Sequence, residues 1–498
     1  ALKLMREHGA VSGHAVPHPD SHGDGRIKRA FTKLLTPFLN SARHRWMLLL
    51  GILGALAVSV SLTLIPSSMV GVVLKMLPFD NKSEFQVVVD MPAGTPLEDT
   101  AAALQEMGGF LAQQPEVSNL QAYAGAASPI TFNGLVRQYY LRADAEQGDL
   151  QVNLVDKHQR SDKSHAIAQR LRPGLEQIAA KHKARIKVVE VPPGPPVMSP
   201  LVAEVYGPDE AGRQALAGKI AQSFSKTSDI VGVDTSLRED APRAFLRVRR
   251  QRAESLGIPV AAIAQTVSAA LSGSDAAYLR DGQSKYPVPI RLQLSAESQV
   301  GLDAILAMPL RAANGQLVPL SELVTVERGI IDKPLFTKDL QGVSYVYGDM
   351  AGQLDSPLYG LFAIRETMSK SAPAGDTLGE YWIRQPTDTY RQYAIKWDGE
   401  SQITYDTFRD MGAAYAVGLV LIYLLVVAQF KSYLTPLVIM APIPLTIIGV
   451  MPGHAFMGAQ FTATSMIGMI ALAGIIVRNS ILLVDFIELQ VSQGMAFK

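Results

Sequence analysis

Hydrophobic and polar positions alternate along this chain in two different ways. Four stretches are apolar almost without interruption: Trp46–Pro66, Met411–Phe430, Leu434–Pro452 and 463–488. Each is long enough to cross a hydrocarbon layer of about 30 Å as a helix. Between the first and second lie residues 67–410, with no comparable run. There the apolar positions recur with periods of two and of three to four, the marks of half-buried strands and helices.

The long polar-apolar region reads as repeated units. Phe85–Met91 predicts a strand, Leu97–Leu111 a helix and Val117–Tyr123 a strand. Leu150–Val155, His165–His182 and Arg185–Val191 repeat the order, and Pro192–Pro196 punctuates the end. Twice strand–helix–strand is the split βαβ, ferredoxin-like pattern. It begins again with Leu201–Tyr206, Glu210–Ser225 and Ile230–Thr235. Its second half arrives late, as a strand at Phe336–Met350, a helix at Pro357–Ser369 and a strand at Tyr393–Trp397. Residues 243–328 between them predict an α+β insertion, with Phe245–Arg249, a helix at Val260–Leu271, a strand at Val288–Leu294 and a hairpin turning at Asn314-Gly315. The fold class expected is a membrane α-helical bundle plus an α+β exterior region of ferredoxin-like subdomains, one of them interrupted.

Charge orients this arrangement. Arg26, Lys28, Arg29, Lys33, Arg43 and Arg45 face no acid between residues 26 and 45, which predicts a cytoplasmic loop over 1–45 ahead of the first span. Lys431, in the turn after the second span, lies on the same side, and 67–410 lies on the other. Net charge is +1, so no global field calls for nucleic acid. The sequence has no cysteine, which excludes disulfides and thiolate chemistry. His8, His14, His18 and His22 sit in a Gly- and Pro-containing polar leader without a ligand framework, and read as a solvated linker and not a metal site. No Ser-His-Asp cluster or phosphate loop appears, and GDGRIK at 23–28 has the wrong spacing for one.

One charge stands out. Arg478 interrupts the last apolar run, roughly 15 Å from its Glu488 end, where an arginine costs at least ~3 kcal/mol. Ala471, Gly474, Arg478 and Asp485 share a helical face, so small residues flank the cation and admit a neighbouring helix. The two readings are snorkelling of a long side chain and an ion or proton relay.

The sequence resembles the resistance-nodulation-division (RND) efflux permeases. The likeness rests on IPSS at 65–68, MPAGTPLEDT at 91–100, PEVSNLQAYAG at 115–125, AESLGIPVAAIAQTV at 253–267, NGQLVPLSEL at 314–323, AQFKSYLTPLVIMAPIPLTIIGV at 428–450 and VRNSILLVDFI at 477–487. It implies twelve membrane helices in two pseudo-repeated halves. On that basis the chain begins in the loop after helix six and ends near helix ten. The resemblance assigns 67–198 to one periplasmic porter subdomain. A second comprises 199–240 and 330–410, and 241–329 is a docking domain facing an outer-membrane channel.

It further implies a multi-pass protein of the bacterial inner membrane. Such a protein exports small amphiphilic compounds against proton entry, as a homotrimer with a periplasmic adaptor and an outer-membrane channel, and uses no cofactor. Arg478 matches the family's basic relay residue, commonly lysine, and Asn479 its neighbour. Arginine hardly ever deprotonates, so a fixed charge that changes partners fits better than a proton carrier. The family's substrate-cleft loop matches Gly125–Gly134, where Ile130 and Phe132 offer apolar contact and Asn133 a hydrogen bond. Read structurally, Phe132 is a core residue. A non-transporting membrane sensor or scaffold is the alternative; it gives no use to a deep charge.

Overall fold

The computed structural model describes residues 26–63, 71–77, 80–191, 194, 196–295, 301–352, 356–371 and 378–493. Residues 1–25 with their histidines, the IPSS stretch and most of Pro192–Pro196 lie outside the described residues. The chain forms two compact units. One comprises 1–78, 352–363 and 400–498, the other 79–351 and 364–399.

The first unit opens with two helices, α1 (Arg26–Asn40) and α2 (Ala42–Ser61), broken only at Ser41, whose backbone is extended. Residues 26–45 are therefore helical and not the expected loop. Charge dominated that expectation, but Ala30, Leu34 and Phe38 recur at four-residue spacing and build one apolar face.

In the second unit, the first module runs β1 (Glu84–Asp90), α3 (Leu97–Ala112), β2 (Val117–Ala124), α4 (Phe132–Val136), β3 (Gln147–Leu154), α5 (Ser164–Lys181) and β4 (Arg185–Val189). Its sheet has the order β2-β3-β1-β4, every neighbour antiparallel. Leu104, Met107 and Leu111 of α3 and Ile167, Leu171 and Leu175 of α5 pack on Phe85, Val87 and Val89 of β1. Full burial of such side chains stabilises by about 1.5–3 kcal/mol each. Residues Phe85 to Val89 are buried without alternation. The β2–β3 connection causes this by covering the other face, where Tyr139 packs on Val88 and Val189.

The second module runs β5 (Leu201–Tyr206), α6 (Glu210–Lys226) and β6 (Ile230–Thr235), then the insertion. The insertion holds β7 (Pro242–Val248), α7 (Arg250–Ser255), α8 (Val260–Ser272), β8 (Ser274–Leu279), β9 (Val288–Leu292), α9 (Leu302–Leu306), β10 (Pro309–Arg311), β11 (Leu317–Pro319), α10 (Leu320–Leu323) and β12 (Val324–Ile330). β7 and β12 pair antiparallel as its stem. Ala253, Ile258, Ile263, Leu310, Leu320 and Leu323 form its own core. β10 and β11 flank the Asn314-Gly315 turn, with Gly315 at φ +87°.

The chain then returns through β13 (Phe336–Lys338), β14 (Gln341–Met350), α11 (Pro357–Ser371), β15 (Gly379–Tyr381) and β16 (Ala394–Gly399). The expected single strand Phe336–Met350 is a hairpin. Asp339 and Leu340 turn it with φ of 51° and 61°, and Lys338 pairs Gln341. Asp339 is a residue type that such turns favour, but Leu340 stands where they prefer Gly, so the pair does not mark a reversal. β6 pairs β14, β14 pairs β5 and β5 pairs β16, all antiparallel. This is the strand order of the first module.

α6 packs across this sheet, and its Phe224 stacks on Trp397 with ring centroids 6.4 Å apart. The opposite face holds a buried polar cluster. Tyr206 donates to Glu204 over 2.9 Å, Lys338 binds Glu204 and lies 2.7 Å from Asp398, and Lys396 lies 3.3 Å from Asp398. Burial pushes the Glu204 carboxyl up. Burial acts the same way on Asp398, but its hydrogen bonds with Glu204 and Lys338 and the charge of Lys396 outweigh it and hold that carboxyl well below the usual range. Gly399 closes β16 at φ +86°, where a Cβ would meet the Pro200 carbonyl oxygen at 2.6 Å.

The first unit is completed by α12 (Glu400–Phe430), α13 (Thr435–Met440), α14 (Ile447–Met457) and α15 (Ala463–Ser492). α12 starts at Glu400, well before the apolar run. Between α13 and α14, Pro444–Thr446 forms a 3₁₀ turn, because Pro442 and Pro444 supply no backbone donors. The helix expected to end by Pro452 continues to Met457 with that proline inside it. A proline is tolerated in such a helix where neighbouring groups satisfy the freed carbonyl.

Candidate functional site

Two places gather the groups that could do chemistry. The first is α15. Thr462 caps it, accepting from the Ser465 backbone while the Ser465 hydroxyl bonds back. Ala473 and Val477 turn inward onto Val426 of α12, Ile439 of α13 and Ile443. That contact rolls the opposite face outward. Ala471, Gly474, Arg478, Asn479 and Asp485 are all exposed. A Cβ built on Gly474 would meet nothing within 4 Å. Among the described residues Arg478 has no ion-pair or hydrogen-bond partner. It lies near the middle of a helix of 30 residues. The arrangement is a fixed cation on an open small-residue face, able to receive a carboxylate from another helix.

The second is a cleft of about 420 Å³ inside the mixed α/β unit, lined by both modules. Its walls are charged. Arg137 pairs with Asp349 over 3.3 Å, joining the β2–β3 connection to β14. Lys187 of β4 binds Asp234 of β6. Arg142 reaches Asp90 at 2.6 Å, Asp149 at 3.3 Å and the Val89 carbonyl at 2.8 Å. Arg142 and Lys187 both lie over the Tyr139 ring, at 5.9 and 6.0 Å.

Burial opposes each of these charges, and the partners outweigh it for most. Asp234, Tyr139 and Asp90 hold Lys187 above the ordinary lysine value, and Asp349 does the same for Arg137. Arg142 and Lys187 hold the Asp90 carboxyl below its usual range. For Asp149 burial wins and its carboxyl is pushed up.

Of the sequence-derived substrate residues, Ile130 and Phe132 lie on the same connection as Arg137 and Arg142 but not in the cleft wall. Ile130 is 70% exposed and Phe132 45% exposed, so Phe132 is not a core residue. The side chain of Asn133 lies outside the described residues. Leu135, Tyr140 and Leu141 of this connection are also exposed. Arg137, Tyr139, Arg142, Lys187, Asp234 and Asp349 escaped the sequence reading. The one available signal was the run RQYYLR at 137–142, two cations bracketing two tyrosines. Among the described residues no group of three or more His, Cys, Asp or Glu is placed to hold a metal.

Four helices among the described residues are long and apolar enough to cross a membrane: Ala42–Ser61, Glu400–Phe430, Thr435–Met457 and Ala463–Ser492. The chain therefore combines helices that could span a membrane with a mixed α/β unit. The chain belongs to the AcrB/AcrD/AcrF family of RND efflux permeases, whose profile matches residues 24–498.

It is 20% identical to the swarming motility protein SwrC of Bacillus subtilis, over 95% of this chain and 41% of that protein. It is 23% identical to the multidrug export protein AcrF of Escherichia coli, over 82% of this chain and 37% of that one. It is 25% identical to the nickel and cobalt resistance protein CnrA of Cupriavidus metallidurans, over 60% and 27%. The crystal structure of a heavy metal efflux pump superposes with a TM-score of 0.69 at 17% identity, over 92% of this chain and 44% of that one. The chain thus spans about two fifths or less of the length of these curated relatives.

Proposed function

We propose that this chain is part of a secondary active efflux permease that couples export of amphiphilic small molecules to proton entry. The carrying observation is Arg478, a permanent cation midway along a membrane-length helix, on a face of small residues with no partner among the described residues. A buried cation is costly, and pairing with carboxylates offsets that cost. In this reading acids from outside the described residues pair with Arg478 when ionised and release it when protonated, and Asn479 hydrogen-bonds in the same relay. The gradient, and not ATP, supplies the energy.

Ile130, Phe132 and Asn133, with the exposed apolar side chains around them, make the substrate contact, and the charged cleft moves as the modules change spacing. The two modules are ferredoxin-like porter subdomains, 67–198 and 199–240 with 330–410, and 241–329 is the docking domain. They lie in the periplasm of a bacterial inner-membrane homotrimer, served by an adaptor and an outer-membrane channel. A second reading is metal-ion export, favoured by the names of CnrA and the heavy metal efflux pump. The carboxylates of the cleft are engaged, Asp349 by Arg137, Asp90 by Arg142, Asp234 by Lys187 and Asp144 by Arg238, so a metal cation would have to displace them.

The test is Arg478→Ala in the full-length protein, in cells lacking other pumps and with membrane levels matched by immunoblot. Export of a fluorescent amphiphile should be lost, and Arg478→Lys should restore part of it. Wild-type export by the Ala variant would remove Arg478 from the coupling machinery. Loss of nickel or cobalt tolerance without loss of amphiphile export would favour the metal reading.

A further inference from the structure

His454 is an ionisable side chain that the coupling charge leaves unused, set near the end of the membrane-length segment Thr435–Met457. An ionisable group inside such a segment is costly and marks a functional site by default. Its half-buried ring is held on three sides. Nδ1 lies 2.8 Å from the Val450 carbonyl, Nε2 lies 2.9 Å from the Ser465 hydroxyl, and the ring centroid is 5.6 Å from that of Phe461. A carbonyl only accepts, so Nδ1 carries the proton of the neutral ring and Nε2 takes the Ser465 O–H.

Ser465 continues the chain. Its oxygen accepts from the Thr462 N–H at 3.3 Å and lies 3.3 Å from Thr462 Oγ1, which is 2.7 Å from Thr464 Oγ1. Thr462 is 4% exposed, whereas Thr464 is exposed. Three hydroxyls in contact thus lead from an exposed position through a buried one to an imidazole nitrogen. With the ring neutral, each hydroxyl donates towards His454. With the ring charged, Nε2 donates to Ser465 and each hydroxyl turns the other way, so neither state strands a donor.

The elements packed at this end, among the described residues, hold few other titratable groups. Phe408 of α12 stacks on Phe461, and beside it Asp406, Arg409 and Asp410 pair with one another at 3.0 and 2.8 Å, with Arg409 over the Tyr405 ring. Lys75 bonds Phe461 through its backbone and has a buried, already engaged side chain. Residues 47–61 of α2 and α15 ahead of Arg478 contain none.

We propose that His454 receives the proton on its way into the helices, fed through Thr464, Thr462 and Ser465. A proton arriving at Thr464 Oγ1 sends that hydroxyl's own hydrogen to Thr462, the Thr462 hydrogen passes to Ser465, and the Ser465 hydrogen passes to Nε2. Each oxygen gains one proton and loses one, and the imidazole becomes imidazolium. The inference rests on the proton-coupled reading and adds the place of entry, about 20 Å along α15 from the level of Arg478.

Two measurements on the full-length protein test this. Nitrogen-15 NMR of ring-labelled histidine in detergent, with His454 assigned by His454→Gln, needs no substrate. The neutral ring should carry its proton on Nδ1, and Nε2 should gain one between about pH 8 and pH 5. A neutral ring protonated on Nε2, or one that does not titrate in that range, overturns the inference. In proteoliposomes, ethidium export is followed while the pH of both sides is shifted together, which holds the gradient constant. The parent rate should fall about tenfold from pH 6 to pH 8, whereas His454→Gln should be slow throughout and change less than about twofold. Ser465→Ala should resemble it, and Ser465→Thr, which keeps the hydroxyl, should recover most of the rate. A Gln or Ala variant with the parent's rate and profile overturns the entry route and leaves proton coupling standing. Parent export that survives collapse of the gradient by nigericin removes the proton-coupled reading, and the entry route with it.

Discussion

Single side chains decide how the mixed α/β unit responds to charge. Arg142 is 10% exposed and holds Asp90 and Asp149, the latter 1% exposed. Arg142→Met removes one cation and leaves Asp149 with only the Ser128 N–H and Asp90 with the more distant Lys187, which should cost about 3 kcal/mol. The urea midpoint of the protein followed by far-ultraviolet circular dichroism measures it, and a loss under about 1 kcal/mol would mean that water reaches the pair.

Asp398 gives a pH dependence of fixed sign. Its folded value is depressed, so its contribution is present above the ordinary aspartate value of about 3.9 and fades as pH falls below it. Asp90 behaves alike. Glu204 acts oppositely, since its raised value makes ionisation costly as pH rises through the ordinary glutamate range. The stability gap between the parent and Asp398→Asn should therefore hold from pH 6 to about pH 4 and narrow from about pH 4 to pH 2. A gap that is constant over that range would show that Asp398 draws nothing from Lys338 and Lys396. Most of these pairings were not legible beforehand, because Lys338 with Asp398, Arg142 with Asp90 and Arg137 with Asp349 join residues far apart in the chain.

Elements were far more legible than pairs. The strands and helices expected from Phe85 to Val191 appear with ends shifted by a few residues, since each has an unbroken period and a packed face. The exposed hairpin of β8 and β9 shows the limit. Only Val288–Leu294 was foreseen: both strands are exposed throughout, but VPIRL of β9 alternates while SDAAYL of β8 does not. The β13–β14 turn failed for a different reason: a left-handed Leu340, 97% exposed, is unfavourable by about 1 kcal/mol or more. Asp339→Asn/Leu340→Gly supplies the residues that this turn prefers. It should raise the melting temperature by about 2–4 °C, as read by circular dichroism. An unchanged or lower value would show that the strain is absorbed elsewhere.

At the scale of the molecule, the distribution of apolar runs located the membrane helices and left a long region able to bury its own cores. Residues 79–399, expressed alone, should fold as a soluble α+β domain with a cooperative thermal transition; a spectrum without cooperative melting would count against this. The family followed from motifs spread over the chain, whereas the charged cleft did not, since it exists only once β4, β6 and β14 come together. The two modules share a strand order and also a seam. In both, the extra chain enters between the second and third strands, as 125–146 in one and 236–340 in the other. That seam opens at an outer strand of the four, so chain can be added there without parting the helices from the sheet. Such a scaffold is evolvable in one direction. Grafts at the seam can give a descendant new contacts while the ancestral core stays untouched.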